Sequence, residues 1–391
     1  MSALLEYQQD EGSMETTVNA TKQMSFHVEH DVIMNALTLC AKIVPRSGAV
    51  PILGNIKFDL MGHTLFITAM DASQSTLQMV KVKNESNLNG SYLFPAKEGI
   101  ELVKRLPHGN LTFTKEDSTV FITYGKRGKA SITVLKAEEY PQLPKLEQTE
   151  ILNIPIEVLR KGAMASRFAS ADETTPSITG IHIYNQNGKL AFIATDRHRA
   201  YRFISEISIE NQETFENAII PALSFKQIVD SLKTDQVECF VTSSYLVLKD
   251  KNIVYFGRLI DAIYPDLSHI YAGVEEGTFV TLLRSELDET LNRALSLDAE
   301  NNRVTLEVNE QGTFVLHTRS QTSELCEEFS NVKVGPGFPT MKFNGRYLRD
   351  ALLVGDREVQ YVTLKVSGNM KSGFMKMDKD PTVVVIVNPV K

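Results

Sequence analysis

Two hydrophobic rhythms alternate along the chain. Apolar residues at helical spacing run through "HDVIMNALTLCAKIVP" from His30, "PIEVLRKGAMASRFA" from Pro155 (Val158, Leu159, Ala163) and "RSELDETLNRALSL" from Arg284. Each pattern puts its apolar residues on one face, as a helix lying on a core requires. Residue-by-residue alternation marks strands instead. "GIHIYNQ" and "KLAFIATD" flank Asn187-Gly188, a pair that accepts the positive φ angles of a tight hairpin turn. "QVECFVTSS", "YLVLKDK" and "NIVYFGRLI" read as a meander of three more strands.

These patterns recur. A strand running into a helix occurs as "YLFPAKEGIELVKRL", "AIIPALSFKQIVDSL" and "MKFNGRYLRDALLV", with Pro95, Pro221 and Asn344 separated by 126 and 123 residues. Asp71, Asp196 and Ser320 are 125 and 124 apart, and Pro141 and Pro265 are 124 apart. Independent marks agreeing on one period indicate three copies of one unit. Helices packed on antiparallel sheets place each copy in the α+β class. The expected division is a disordered leader over 1–23, then domains over 24–147, 148–275 and 276–391, with linkers near 144–153 and 271–280.

The 391 residues are 42% hydrophobic and 23% charged, an ordinary globular balance. No stretch approaches the ~20 apolar residues of a membrane helix. Residues 1–23 lack the basic and apolar regions of a signal peptide. Cys40, Cys239 and Cys326 are odd in number and far apart, so buried reduced thiols in a cytoplasmic protein are expected, with no disulfide or zinc framework. The formal net charge is −7, yet the six helical segments sum to +5, leaving −12 on the rest. A basic helical surface on an acidic body attracts phosphate backbones without reading bases.

Candidate chemistry concentrates in "AFIATDRHRAYRFISEI", which holds an Asp, a His and three Arg between Asp196 and Arg202. Asp196 and His198 could form an acid–base pair, or Asp196 could tie a turn and pair with an Arg. The corresponding segments read "MDASQS" and "TRSQTS", so the scaffold does not require the charges. No phosphate loop, metalloprotease motif or nucleophile elbow is present.

With "VPILGNIKF", "ITGIHIYNQNGKLAFIATDRHRAYR", "AIYPDLSHI", "FNGRYLRDAL" and a terminal "NPVK", the chain from Met24 to Lys391 resembles the β sliding clamps of bacterial replicative DNA polymerases. The resemblance implies a non-enzymatic processivity factor without cofactor, metal or catalytic residue. It implies head-to-tail homodimers closing a ring around duplex DNA, helices lining the hole and sheets outside. The partners implied are duplex DNA bound without sequence preference, the replicative DNA polymerase, a clamp loader and other proteins carrying a clamp-binding motif, with no membrane. The implied partner-peptide pocket comprises Ile178, Thr195, Arg197, His198, Arg199, Ala200, Pro265, Ile270, Asn344, Tyr347, Ile386, Val387, Asn388, Pro389 and Val390, with His198 and Arg199 offering hydrogen bonds to peptide carbonyls. The implied dimer interface uses Ala130 and Ile132 against the helix end near Leu297. Candidate DNA-facing residues are Arg46, Lys97, Lys104, Arg105, Arg160, Lys161, Arg167, Lys226, Arg346 and Arg349.

The chain departs from the family pattern where Arg197 replaces a usual Gly, Ala200 a Leu and Asn388 an aliphatic residue. Ala222 and Leu223 stand where a basic pair is usual. Two rival readings stay open on the residues alone. One is a partner-binding scaffold that no longer encircles DNA; the other is a metal-dependent phosphoester hydrolase using Asp196 and His198.

Overall fold

The computed structural model describes residues 23–45, 50–145, 150–210, 215, 218–272, 277–297, 299–356, 358–366 and 372–390. The expected leader up to residue 22, Arg46 and parts of both expected linkers lie outside this set. Helices form at α1 (His30–Ile43), α2 (Ala96–Lys104), α3 (Ile156–Ala163), α4 (Ala222–Val229), α5 (Ser268–Tyr271), α6 (Arg284–Leu295) and α7 (Gly345–Leu352). Pro95, Pro221 and Asn344 each end the strand that feeds a helix. The helical pattern from Pro155 was expected to run on to Ala169, but it tightens to a 3-10 helix at Met164–Phe168. In that geometry residues three apart eclipse, so Ala165 and Phe168 both turn inward and are fully buried.

The chain forms two compact units. The first joins the described residues up to Ile156 with Asp230–Arg258, and the second joins Glu157–Val229 with Leu259–Lys391. Both are antiparallel-sheet units with helices. In the first, an eight-stranded sheet unites strands of the first two sequence repeats, because Gln74–Lys81 pairs with Ile253–Arg258. A four-stranded sheet runs Met24–Glu29, Asn110–Glu116, Thr119–Tyr124 and Gly128–Thr133. In the second unit, a nine-stranded sheet unites repeats two and three, because Arg199–Ser208 pairs with Asp380–Val387. Its four-stranded sheet runs Glu324–Glu328, Phe314–Arg319, Arg303–Val308 and Met341–Asn344.

The cores follow the hydrophobic pattern. In α1, Ile33, Ala36, Leu37, Cys40 and Ile43 face Phe58, Phe94 and Phe113. Each fully buried side chain of this size contributes about 1.5–3 kcal/mol. Helix glycines permit the closest approach to the sheet. A Cβ on Gly99 would lie 2.1 Å from the Phe94 ring, and one on Gly162 2.5 Å from that of Phe192. Cys40 and Cys239 are buried as expected, and burial pushes both thiols up to about 12. Cys326 is instead exposed, because it lies on the outermost strand of its sheet.

Candidate partner-docking groove

The Asp196 segment is a turn between the strands Lys189–Thr195 and Arg199–Ser208. Asp196 N donates to Arg199 O, and Asp196 Oδ1 accepts from His198 N (3.0 Å) and Arg199 N (2.9 Å). The equivalent residues build the same turn. Asp71 Oδ1 accepts from Ser73 N (2.7 Å) and Gln74 N (2.8 Å), and Ser320 Oγ accepts from Thr322 N (3.3 Å) and Ser323 N (3.0 Å). Asp196 is therefore a turn residue, and its second oxygen accepts from Arg199 Nε at 2.9 Å.

Arg199 is a tie rather than a free donor. Its guanidinium also donates to Asp350 Oδ2 on α7 and to Arg167 O (2.8 Å), and it lies over the rings of Tyr347 (4.5 Å) and Phe168 (5.2 Å). Only 11% of its side chain is exposed. Internal partners thus take three of the five guanidinium N–H groups that were expected to serve peptide carbonyls.

Beside this turn lies a groove of about 640 Å³, entirely within the second unit. Nine of the expected pocket residues line it: Ile178, Thr195, Arg197, Arg199, Ala200, Pro265, Ile270, Ile386 and Asn388. Ala200 and Ile386 are register partners on adjacent strands and are 5% and 3% exposed, so they make an apolar floor. Ile178, at 3%, comes from the 3-10 turn Pro176–Thr179. The loop before α5 and Ile270 within that helix add further lining, including Ile263, Tyr264, Asp266 and Leu267, none of which was expected. Ile263 is 89% exposed, an aliphatic side chain without cover at the mouth. Thr175 and Ser177 were also missed; they lie just before Ile178 in the chain, which could have flagged them.

The other expected residues gather next to the groove without lining it. The His198 ring stacks on Tyr347 with centroids 6.0 Å apart. Val387 is fully buried in its strand. Asn388 N donates to His198 O, and Val390 N to Lys342 O, seating the tail and Pro389 between them. Asn344 caps α7 by accepting from Arg346 N at 2.9 Å.

Three departures from the family pattern, Arg197, Ala200 and Asn388, meet here. Arg197 has φ +74°, a left-handed conformation that favours Gly. Its strain is offset by neighbours: Asn388 Nδ2 donates to Arg197 O at 3.0 Å, and Arg197 Nη2 donates to Thr175 Oγ1 at 2.6 Å, from one groove-lining residue to another. Hydrogen bonds from Thr174 hold Asp172 below the usual carboxylate range, and those from Ser268 do the same for Asp266. The groove lining therefore sets the Asp266 carboxylate against the Arg197 cation. A larger cleft of about 760 Å³ in the first unit is lined by Lys57, Asp59, Lys115, Asp117 and Lys136 beside Val134, Leu135 and Ala137, so charged side chains take a larger share of its lining.

Several candidate DNA-facing cations are already engaged. Lys161 Nζ contacts the Asp380 carboxylate, Arg349 Nε donates to Asp288 (3.0 Å), Arg160 pairs with Glu157, and Arg167 lies 3.9 Å from Asp350. Lys104 and Arg105 share Glu101. Lys226 is half-buried. Lys97 on α2 and Arg346 on α7 are exposed and in no ion pair among the described residues. At the expected dimer contact, Ala130 is half-buried and Leu297 half-buried. Ile132 is 8% exposed and belongs to its own domain's core, so it is not a free interface side chain.

Two family models match: the DNA polymerase III beta subunit N-terminal domain over residues 24–144 and its central domain over 153–266. The chain is 25% identical over 380 residues to a protein named beta sliding clamp from Staphylococcus aureus, covering 94% of this chain and 99% of that one. A beta sliding clamp from Staphylococcus epidermidis is 25% identical over 388 residues, with the same coverage. Among solved structures, the DNA polymerase beta subunit of Streptococcus pyogenes superposes with a TM-score of 0.86 at 21% identity, covering 94% of this chain and 100% of that one. The sliding clamp of Bacillus subtilis gives 0.85 at 23%, covering 94% and 99%. With its repeated α+β units and both domain models matched, the chain belongs to the DNA polymerase III beta subunit family, the beta sliding clamps.

Proposed function

We propose that this chain is a non-enzymatic clamp that closes around duplex DNA as a head-to-tail homodimer and tethers the replicative DNA polymerase. The observation that carries the tethering is the groove, whose apolar floor and exposed Ile263 suit the apolar anchors of an extended peptide. Tethering raises the local concentration of a polymerase at its template and needs no tight DNA contact. Lys97 and Arg346 are the cations best placed to contribute weak phosphate contacts. The three repeats 24–147, 148–275 and 276–391 would be the clamp domains.

Dimer closure is supported by two sheet edges. Gly128–Thr133 is the outermost strand of one four-stranded sheet, and Glu324–Glu328 the outermost strand of another. Unpaired edges invite another chain, and joining them between copies removes both. Their charges are complementary: Lys126, Arg127 and Lys129 at one edge, Glu324, Glu327 and Glu328 at the other. A clamp loader, and other proteins carrying the docking motif, would use the same groove.

Primer extension by the cognate polymerase and loader, with and without this chain, tests the function. Products lengthening several-fold at unchanged nucleotide-addition rate are expected. Equal product lengths would leave only the reading of a scaffold that does not encircle DNA.

A further inference from the structure

His30, Asp31 and His108 form a compact set of ligand atoms in the first unit, apart from the groove. His30 opens α1 with its side chain 6% exposed, whereas the His108 side chain is 82% exposed. The helix start is tied to the loop after α2 by His30 N donating to Gly109 O at 2.9 Å. Asp31 Oδ1 lies 3.0 Å from His30 Nδ1 and 2.7 Å from His108 Nδ1, and the three potential ligand atoms fall within 4.8 Å of one another.

The other nitrogen of His30 decides what this cluster wants. His30 Nε2 lies 3.0 Å from the Val103 carbonyl oxygen. A carbonyl can only accept, so Nε2 carries the proton. In a neutral imidazole Nδ1 is then a bare lone pair, and here it faces a carboxylate oxygen. Two lone pairs at that distance repel unless a cation lies between them. His108 can meet Asp31 as a neutral Nδ1–H tautomer, but a second proton on His30 would place a cation on a side chain only 6% exposed. One divalent ion satisfies all three donors together. Imidazole held by a backbone carbonyl through its second nitrogen is the usual support of a metal ligand. Two nitrogens and one carboxylate suit zinc-class ions better than magnesium or calcium. Ligands about 2.1 Å from a tetrahedral zinc are about 3.4 Å apart, so the two carboxylate–imidazole separations of 3.0 and 2.7 Å would open by about 0.4 and about 0.7 Å.

We propose that His30 Nδ1, Asp31 and His108 Nδ1 bind a zinc-class divalent ion that clips the start of α1 to the loop after α2, with water completing its coordination. The sequence hid this set because His108 is 77 residues from Asp31.

The test uses untagged, chelator-stripped full-length protein, titrated with Zn²⁺ and separately with Co²⁺ as a visible-absorption probe. One equivalent per chain, a raised Tm and a Co²⁺ band typical of mixed nitrogen and oxygen ligands are expected. His108→Ala and Asp31→Asn alter exposed side chains, and each should weaken binding by about tenfold or more. His27→Ala, removing a nearby histidine outside the set, should leave it unchanged. Equal Zn²⁺ binding by wild type and His108→Ala, or no saturable uptake at micromolar metal, would overturn the proposal.

Discussion

Arg199 illustrates how a charged side chain beside a groove can serve the fold. It connects Asp196, Asp350 and Arg167 O around two aromatic rings, so Arg199→Ala strips the guanidinium from two carboxylates and leaves Asp350 to Arg167 at 3.9 Å. Denaturant unfolding should show a loss of about 3 kcal/mol. Ile263 is the opposite case, exposed and without structural duty. Ile263→Asp should abolish binding of a clamp-motif peptide in fluorescence anisotropy while leaving the unfolding curve unchanged; retained affinity would remove Ile263 from the site. Ile386→Asp is a poorer probe because that side chain belongs to the core. His198→Ala should weaken the peptide only modestly. Arg197→Gly relaxes the positive φ but loses the Thr175 bond and gains unfolded-state freedom, so stability should change by less than about 1 kcal/mol. Its readout is specificity: peptides with a basic flank should gain affinity over acidic ones. The role of Asp196 was legible in the sequence because Asp71 and Ser320 mark the same turn. That of Arg199 was not, since Asp350 is 151 residues away. Nor was that of Ile263, a lone aliphatic in an aperiodic loop.

At the scale of elements, the strand–helix order of each repeat could be read from periodicity because each helix buries one stripe and each hairpin carries its turn residues. Sheet partnership across repeats could not, because Gln74–Lys81 and Ile253–Arg258 are distant strands whose pairing leaves no local mark. The edges at Gly128–Thr133 and Glu324–Glu328 make the dimer testable by charge. Lys129→Glu and Glu328→Lys should each shift the light-scattering mass from twice 43.7 kDa toward the monomer, and mixing the two variants should restore dimers. Persisting dimers in both would misplace the interface. Arg293 adds a pH dependence near the acidic edge. It donates to both oxygens of Glu327 at 2.7 Å, and these bonds hold that carboxyl below its usual range. A depressed folded value means the contribution is complete above about pH 4.3, the ordinary Glu value, and fades as pH falls through the lower one. Arg293→Ala should therefore lower stability slightly at pH 7, as solvent screening allows, and leave it unchanged near pH 2.

For the whole molecule, the account needs a topological link to DNA, with weak phosphate contacts only assisting. Lys97→Glu combined with Arg346→Glu should reduce loading onto DNA several-fold without dissociating the dimer. Neither side chain is in an ion pair among the described residues, so the fold should survive the change. The most direct measurement is retention of loaded protein on nicked circular duplex before and after one restriction cut. A clamp that encircles its DNA should co-elute with the circle in gel filtration at high salt and be lost once linearisation provides free ends. Equal retention on circular and linear duplex, or dissociation from both by salt alone, would contradict it.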